Sequence, residues 1–417
     1  MLRARRHYHH MVRGHAGRFR SLSCEASAGY RCLRIPARSH PWASTHRDVT
    51  FNLTTPSWTS ATADGGTYSL VAIGVDTHKH VYVAVALDEL GGRLGELTVA
   101  TDRGGAEQLE RWAVSHGRIL AFGVEGTGSY GAGVTSYLQR QGHRVIEVNR
   151  PDRRERRMNG KSDALDAENA ARAVLSGRAT ATPKTADGQI EMLRQIKIAK
   201  DTAVKARTQA MVTLKTLVVT APPELREQLD GLPRMALIER CAGLRPGSMT
   251  TPLAATKHAL RSLARRWQQL QLEIKEHERY LTTITGVIAP AMVAAFGIGP
   301  DTAAEMLIVA GDNPERVRSE PAWAKLCGVC PVPASSGMTS RHRLNRGGHR
   351  QANSALYRTV IVRLRFHQPT IDYVARRTAQ GKTKAEIIRC LKRYVAREVW
   401  AYLHPERHAA PAPELAA

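Results

Sequence analysis

Val71-Ala72-Ile73-Gly74-Val75-Asp76 is an apolar run closed by a carboxylate, and Val81-Tyr82-Val83-Ala84-Val85-Ala86-Leu87 follows four residues later. Both stretches have the length and β-branched content of strands, and the short gap between them predicts a hairpin. Asp76 then stands at the mouth of the first strand. Ile119-Leu120-Ala121-Phe122-Gly123-Val124 repeats the pattern, running into Glu125 and the turn Gly126-Thr127-Gly128. Further on, Asp163 and Asp166 lie three apart, a spacing that projects both side chains from one face of a helix. Four carboxylates brought together repel one another, and a hard divalent cation, Mg²⁺ or Mn²⁺, relieves that repulsion. A paired-metal site of this kind polarises a phosphodiester and stabilises its attacking and leaving oxygens. Taken singly, each acid is better explained by helix capping or simple solvation. The order of all four, on a hairpin, a later strand and a later helix, favours a site.

Working outward, strands are expected at Glu96–Ala100 and Arg144–Val148, with helices at Gly105–His116 and Ala132–Gln141. The helix carrying Asp163 and Asp166 closes the unit. A three-strand meander followed by strands alternating with helices predicts an α/β sheet of the ribonuclease-H type over residues 68–186. In open sheets of this sort, chemistry collects at the C-terminal ends of strands.

Composition points the same way. The chain has 417 residues, 61 Lys+Arg against 37 Asp+Glu, a formal net charge of +24 and a pI near 10.3. Such an excess implies a polyanionic partner, because neutralised phosphates release condensed counterions. No apolar run approaches the roughly 20 residues needed to span a bilayer, so nucleic acid is favoured over a membrane surface. The six cysteines are scattered and suit a reducing cytosol. Cys327-Gly328-Val329-Cys330 lacks a second pair at ligand spacing, and apolar packing is expected of it.

Residues 1–67 read differently, with ten Arg, no Lys and three acids. They are expected to form a disordered extension or translated upstream sequence. Residues 187–285 are helical and polar-rich, with two long arms around Gln189–Val219 and Leu260–Ile284 broken by Pro222-Pro223. The arms should pack as an antiparallel pair or a coiled coil, serving as a dimerisation surface or a nucleic-acid brace. Residues 286–405 are expected to be mostly helical, and 406–417 to form a flexible tail.

Two turns stand out in that last part. Gly297-Ile298-Gly299-Pro300 resembles the hairpin of a helix-hairpin-helix, whose glycines let backbone N–H groups approach a phosphate. Pro331-Val332-Pro333-Ala334-Ser335-Ser336-Gly337 opens a loop that continues through Arg341, Arg343, Asn345, Arg346, Gly347, Gly348, His349 and Arg350. It offers an exposed hydroxyl near cations able to clamp a phosphate. Ordinary turn chemistry explains the same residues.

Ile73 to Lys79, Val124 to Gly128, Lys161 to Ala167, Gly297 to Gly299, and Pro331 to Gly337 with Asn345 to Arg350 occur in that order. Together they resemble the DEDD insertion-sequence transposases, relatives of the Piv invertase, over about residues 70–400. The resemblance implies a RuvC-like N-terminal domain, a coiled-coil middle and a C-terminal transposase domain. It implies Mg²⁺ on Asp76, Glu125, Asp163 and Asp166, and a serine nucleophile at Ser336, with Ser335 as the neighbouring choice. It further implies a structured non-coding guide RNA, a dimer or tetramer around DNA, and a bacterial cytoplasm beside the nucleoid. The competing enzyme is a RuvC-like Holliday-junction resolvase that uses metal-activated water and needs no serine. A non-catalytic nucleic-acid-binding protein is the bland competitor. An actin-like ATPase is disfavoured by the basic charge and the lack of a GxxxxGK[ST] loop.

Overall fold

The computed structural model describes residues 69–148, 162–339 and 342–407, which belong to one structural unit. The segment 1–67, the basic run 153–157, Arg341 and the tail from 408 onward lie outside the described residues.

Five strands form one sheet: β1 (Leu70–Thr77), β2 (Val81–Leu87), β3 (Arg93–Ala100), β4 (Arg118–Glu125) and β5 (Val145–Val148), in the order β3-β2-β1-β4-β5. β1, β2 and β3 run antiparallel as the expected meander, while β4 and β5 lie parallel to β1. β3 begins at Arg93, three residues before the expected start. Its first residues carry no alternation to read; they become strand by laddering onto β2, with Arg93 opposite Leu87. Arg93 and Glu96 also charge this edge, which discourages pairing with another chain.

The two faces of the sheet are filled separately. Ile73, Val75, Phe122 and Val124 meet Leu109 of α1 (Arg103–Ser115) and Leu138 of α2 (Ala132–Arg140). Complete burial of a Phe122 side chain is worth about 2–3 kcal/mol. The opposite face presents Ala72, Ala121, Ile146 and Val148 to Ala170 and Val174 of α3 (Asp163–Leu175). This mixed five-strand sheet with helices on both faces is compatible with the ribonuclease-H type.

After α3 the chain leaves the sheet through a bridge in which Glu147 N donates to Ala181 O at 2.7 Å. Lys184 Nζ then donates to the carbonyl of Ile308, and Asn313 donates to Pro183 O at 3.0 Å. Ile308 lies near the end of a helix whose last carbonyls have no partners within it. Arg316 satisfies two more of them, donating to Val309 O and Ala310 O.

The two arms are α4 (Gln189–Val219) and α7 (Pro252–Ile288), separated by the short helices α5 (Pro223–Leu229) and α6 (Arg234–Ala242). Lys200 faces Glu278, Arg207 faces Gln271, and Leu214 shares a core with Leu260, so the arms run antiparallel. α7 starts eight residues before the expected Leu260. Thr251 caps it by accepting from Ala254 N, and Pro252 occupies its first turn, a start signal stronger than the apolar periodicity.

The remaining helices are α8 (Pro290–Ala294), α9 (Pro300–Ala310), α10 (Glu320–Leu326), α11 (Arg350–Phe366), α12 (Gln368–Ala379) and α13 (Lys384–Leu403). They share one core in which Trp323, Leu356, Val395 and Trp400 pack with Leu193 and Leu281 from the arms. Cys327 is buried there as a free thiol, pushed up to about 12 by burial, in keeping with a packing role. Among the described residues, no helix is long and apolar enough to cross a membrane.

Candidate active site

Gly74 and Gly123 face each other across β1 and β4, and the next pair in register is Val75 with Val124. Alternation puts Asp76 on the Gly74 face and Glu125 on the Gly123 face, side by side at the strand ends. Those glycines decide how close α3 comes. A Cβ on Gly74 would stand 1.8 Å from the Ala167 carbonyl oxygen, and one on Gly123 would stand 2.8 Å from that of Ala170. α3 answers with Ala167, Ala170 and Ala171, all buried. Backbone therefore packs on backbone, and the N-terminal turn of α3 is brought over the carboxylates.

Ser162 caps that turn by accepting from Leu165 N at 3.2 Å. Asp163 and Asp166 occupy the first turn, where the positive end of the helix dipole favours carboxylates. Asp76 and Asp166 are buried, while Asp163 is half exposed. Burial pushes the Asp76 carboxyl above its usual range, and the negative charges of Asp166 and Asp163 push it the same way; His78 opposes them. Three of the expected acids are thus close enough to feel one another, and strand register sets Glu125 beside them. Thr77 Oγ1 ties the two strand ends by donating to Glu125 O at 2.9 Å.

His78 was not among the expected site residues. Its Nε2 lies 3.0 Å from Asp76 Oδ2 and 3.3 Å from Asp163 Oδ1. Asp76, His78 and Asp163 offer ligand atoms within 4.8 Å of one another, the one such group among the described residues. Only the position of His78, two residues past Asp76 in the hairpin turn, hinted at this. Carboxylate oxygens suit a hard divalent ion, and one imidazole extends the range toward Mn²⁺ and its neighbours. The donor set fits a divalent cation.

The C-terminal residues are arranged otherwise. β6 (Val332–Pro333) pairs with β7 (His342–Arg343), and Ser336 stands in the exposed tip between them. Ser336 and Thr339 exchange two backbone hydrogen bonds of 3.1 Å, and Gly337 takes the left-handed conformation at φ +55°. Ser335 is also exposed. Arg343, Arg346 and Arg350 are exposed, with no carboxylate partner among the described residues. Gly297, at φ +79°, forms the turn between α8 and α9, and Gly299 caps α9 without a side-chain hydrogen bond. Just inside α9, Asp301 is held by Lys200 at 2.9 Å and by Arg358 at 3.4 Å.

Two family models match the chain. Residues 73–223 match a DEDD transposase model of the IS110 kind, described as "Transposase". Residues 291–375 match the model described as "Transposase IS116/IS110/IS902 family". A search of curated proteins found no match. The acid cluster on its mixed sheet and these two matches define a DNA transposase with a DEDD-type acid cluster, a class that uses a divalent metal. Within that class the chain belongs to the IS110 family of DEDD transposases.

Proposed function

We propose that this transposase cuts and rejoins DNA through a covalent serine–DNA ester, with Ser336 as nucleophile and a structured non-coding RNA as guide. In this reading Asp76, Glu125, Asp163 and Asp166 hold Mg²⁺, and residues 68–186, 187–285 and 286–405 form catalytic, coiled-coil and transposase domains. The observation behind it is a contrast between two places. One is an acid cluster at the ends of the central strands β1 and β4; the other is an exposed hydroxyl at a hairpin tip, in a loop whose arginines have no carboxylate partner among the described residues.

A serine hydroxyl is a weak nucleophile until its proton is removed. A carboxylate of the cluster accepts that proton while Ser336 Oγ bonds to phosphorus. The scissile P–O bond breaks as the carboxyl group hands that proton to the departing oxygen, so the departing strand leaves as a hydroxyl. The ester conserves the bond energy, so attack by a strand hydroxyl reseals DNA without ATP. Arg343, Arg346 and Arg350 hold the phosphate, and the backbone around Gly297 and Gly299 approaches a neighbouring one. A divalent cation, when bound, supplies positive charge against the charge developing on the phosphate. A dimer or tetramer lets the serine of one copy work with the acids of another.

Ser336→Ala is expected to abolish cleavage while leaving DNA binding within two-fold of wild type. A denaturing gel after reaction with labelled DNA should show a protein–DNA adduct for the wild type only. Recombination by Ser336→Ala would remove the nucleophile assignment. Cleavage without any adduct would instead favour metal-activated water.

A further inference from the structure

Helices α11, α12 and α13 enclose a cavity of about 190 Å³ lined by Val360, Pro369, Tyr373, Leu391, Tyr394 and Val395. Its two tyrosines meet edge to face, with ring centroids 5.6 Å apart. The rim is cationic. The Arg376 and Arg377 guanidinium groups lie 5.5 and 6.0 Å from the Tyr373 ring centroid, and Arg397 lies 6.0 Å from that of Tyr394. Tyr394 itself is half exposed.

Charge decides which occupant such a groove takes. Residues 358–397 carry eleven Arg or Lys against two acids, Asp372 and Glu386. Glu386 is engaged in the capping box of α13, and Asp372 accepts from Gln368. Arg358, Arg363 and Arg393 are neutralised by Asp301, Glu398 and Glu320. Arg376 and Arg397 have no carboxylate partner among the described residues, so the aromatic cavity is flanked by free positive charge. That disfavours a cationic partner and suits a polyanion bearing flat rings. Successive bases stack on aromatic side chains and guanidinium planes while cations follow the backbone.

We infer that this groove holds an unpaired base of single-stranded RNA, with Tyr394 and Tyr373 as the stacking surface and Arg376 and Arg397 on the adjoining phosphates. The choice of RNA rests on the guide-RNA reading above and on one physical point. The bases of duplex DNA are paired and stacked, and extruding one costs a few kcal/mol. RNA loops present bases already unstacked. Thr370 and Arg363 in the lining are already bonded to His367 and to Phe296 and Glu398, so stacking on the tyrosine rings outweighs base-edge hydrogen bonding.

The test uses the full chain with labelled ten-residue oligonucleotides: oligo-rA, the same strand with central abasic riboses, oligo-dA, and an RNA duplex. Tyr394→Leu is expected to weaken oligo-rA binding by about ten-fold, within the range of one lost base stack. It should leave the abasic strand and the duplex unchanged. The double variant Arg376→Ser, Arg397→Ser, with both substitutions on exposed side chains, should reduce the salt slope for oligo-rA by about one to two. Equal losses on the intact and abasic strands would overturn the base pocket while leaving RNA binding elsewhere intact. Wild-type preference for oligo-dA over oligo-rA would overturn the choice of RNA. A changed sedimentation mass in Tyr394→Leu with unaltered RNA affinity would show that a second copy fills the groove.

Discussion

Gly74 and Ala167 approach so closely that any side chain on Gly74 would strike the Ala167 carbonyl oxygen, at 1.8 Å from a Cβ. This contact sets the height of α3 above β1. It also sets the reach of Asp163 and Asp166 toward Asp76. Gly74→Ala should therefore force α3 outward and cost stability by about 1–3 kcal/mol or more, as overpacking does. Urea unfolding would measure the loss. DNA cleavage should fall more steeply than stability explains, and a variant as active as wild type would show that the helix position is immaterial.

Asp76 is held in a setting that disfavours its charged form, through burial and then the neighbouring Asp166 and Asp163. Asp76→Asn removes one of the crowded charges. Without metal the variant should be at least as stable as wild type, since functional sites often carry such a cost. Wild-type Tm should rise on adding Mg²⁺ or Mn²⁺ and return on chelation. The Asn variant should show little rise and cleave at least about a hundred-fold more slowly, the scale of an electrostatic contribution to catalysis.

His78 bridges Asp76 and Asp163 through one nitrogen. Imidazole favours divalent ions of the first transition row over Mg²⁺, which takes oxygen ligands. His78→Ala should weaken Mn²⁺ binding several-fold and change Mg²⁺ binding little, as read by calorimetric titration of each ion. Equal losses for both ions would make His78 a spacer for the carboxylates.

Lys184 links the sheet side of the chain to the end of α9. Its ammonium is pushed down from 10.5 to about 8, chiefly by burial, with Arg316 adding and Glu147 opposing. Between those values the unfolded chain binds a proton that the folded chain has released. Stability from this group consequently rises with pH from about 8 to about 10.5 and is flat below. Comparing Lys184→Met with wild type by urea unfolding over this window isolates the slope. Parallel curves would refute it.

Asp301 neutralises Lys200 at 2.9 Å and faces Lys197 at 3.4 Å, two lysines buried between α4 and α9. Asp301→Ala strands part of that charge. Because Asp301 is itself about a third exposed, the loss should be about 1–3 kcal/mol, below that of a fully buried pair. Glu305 and Asp201 remain beside Lys197 to limit it.

Much of this was legible in particular residues. Strands β1 and β4 announce themselves as apolar runs ended by an acid and β2 as a β-branched stretch close behind β1, and Asp163 with Asp166 betray a helix face by spacing. The start of β3 and the first turns of α7 are not legible in the apolar pattern, because one depends on a partner strand and the other on a cap outside the apolar period. His78 was missed for a different reason. A histidine in a hairpin turn is unremarkable until folding turns it toward carboxylates from two separate elements.

The order of residues thus determined the strands and the helix that carry the four acids, which turns break the helices, and that the partner is a polyanion, because strand alternation, helical spacing and net charge are local or additive properties. The height of α3, the capture of Asp76 and Asp163 by one imidazole, and the cavity between Tyr373 and Tyr394 were decided only in three dimensions. Each depends on atoms far apart in the chain meeting at ångström distances, and contact at that range is set by the packing of whole elements.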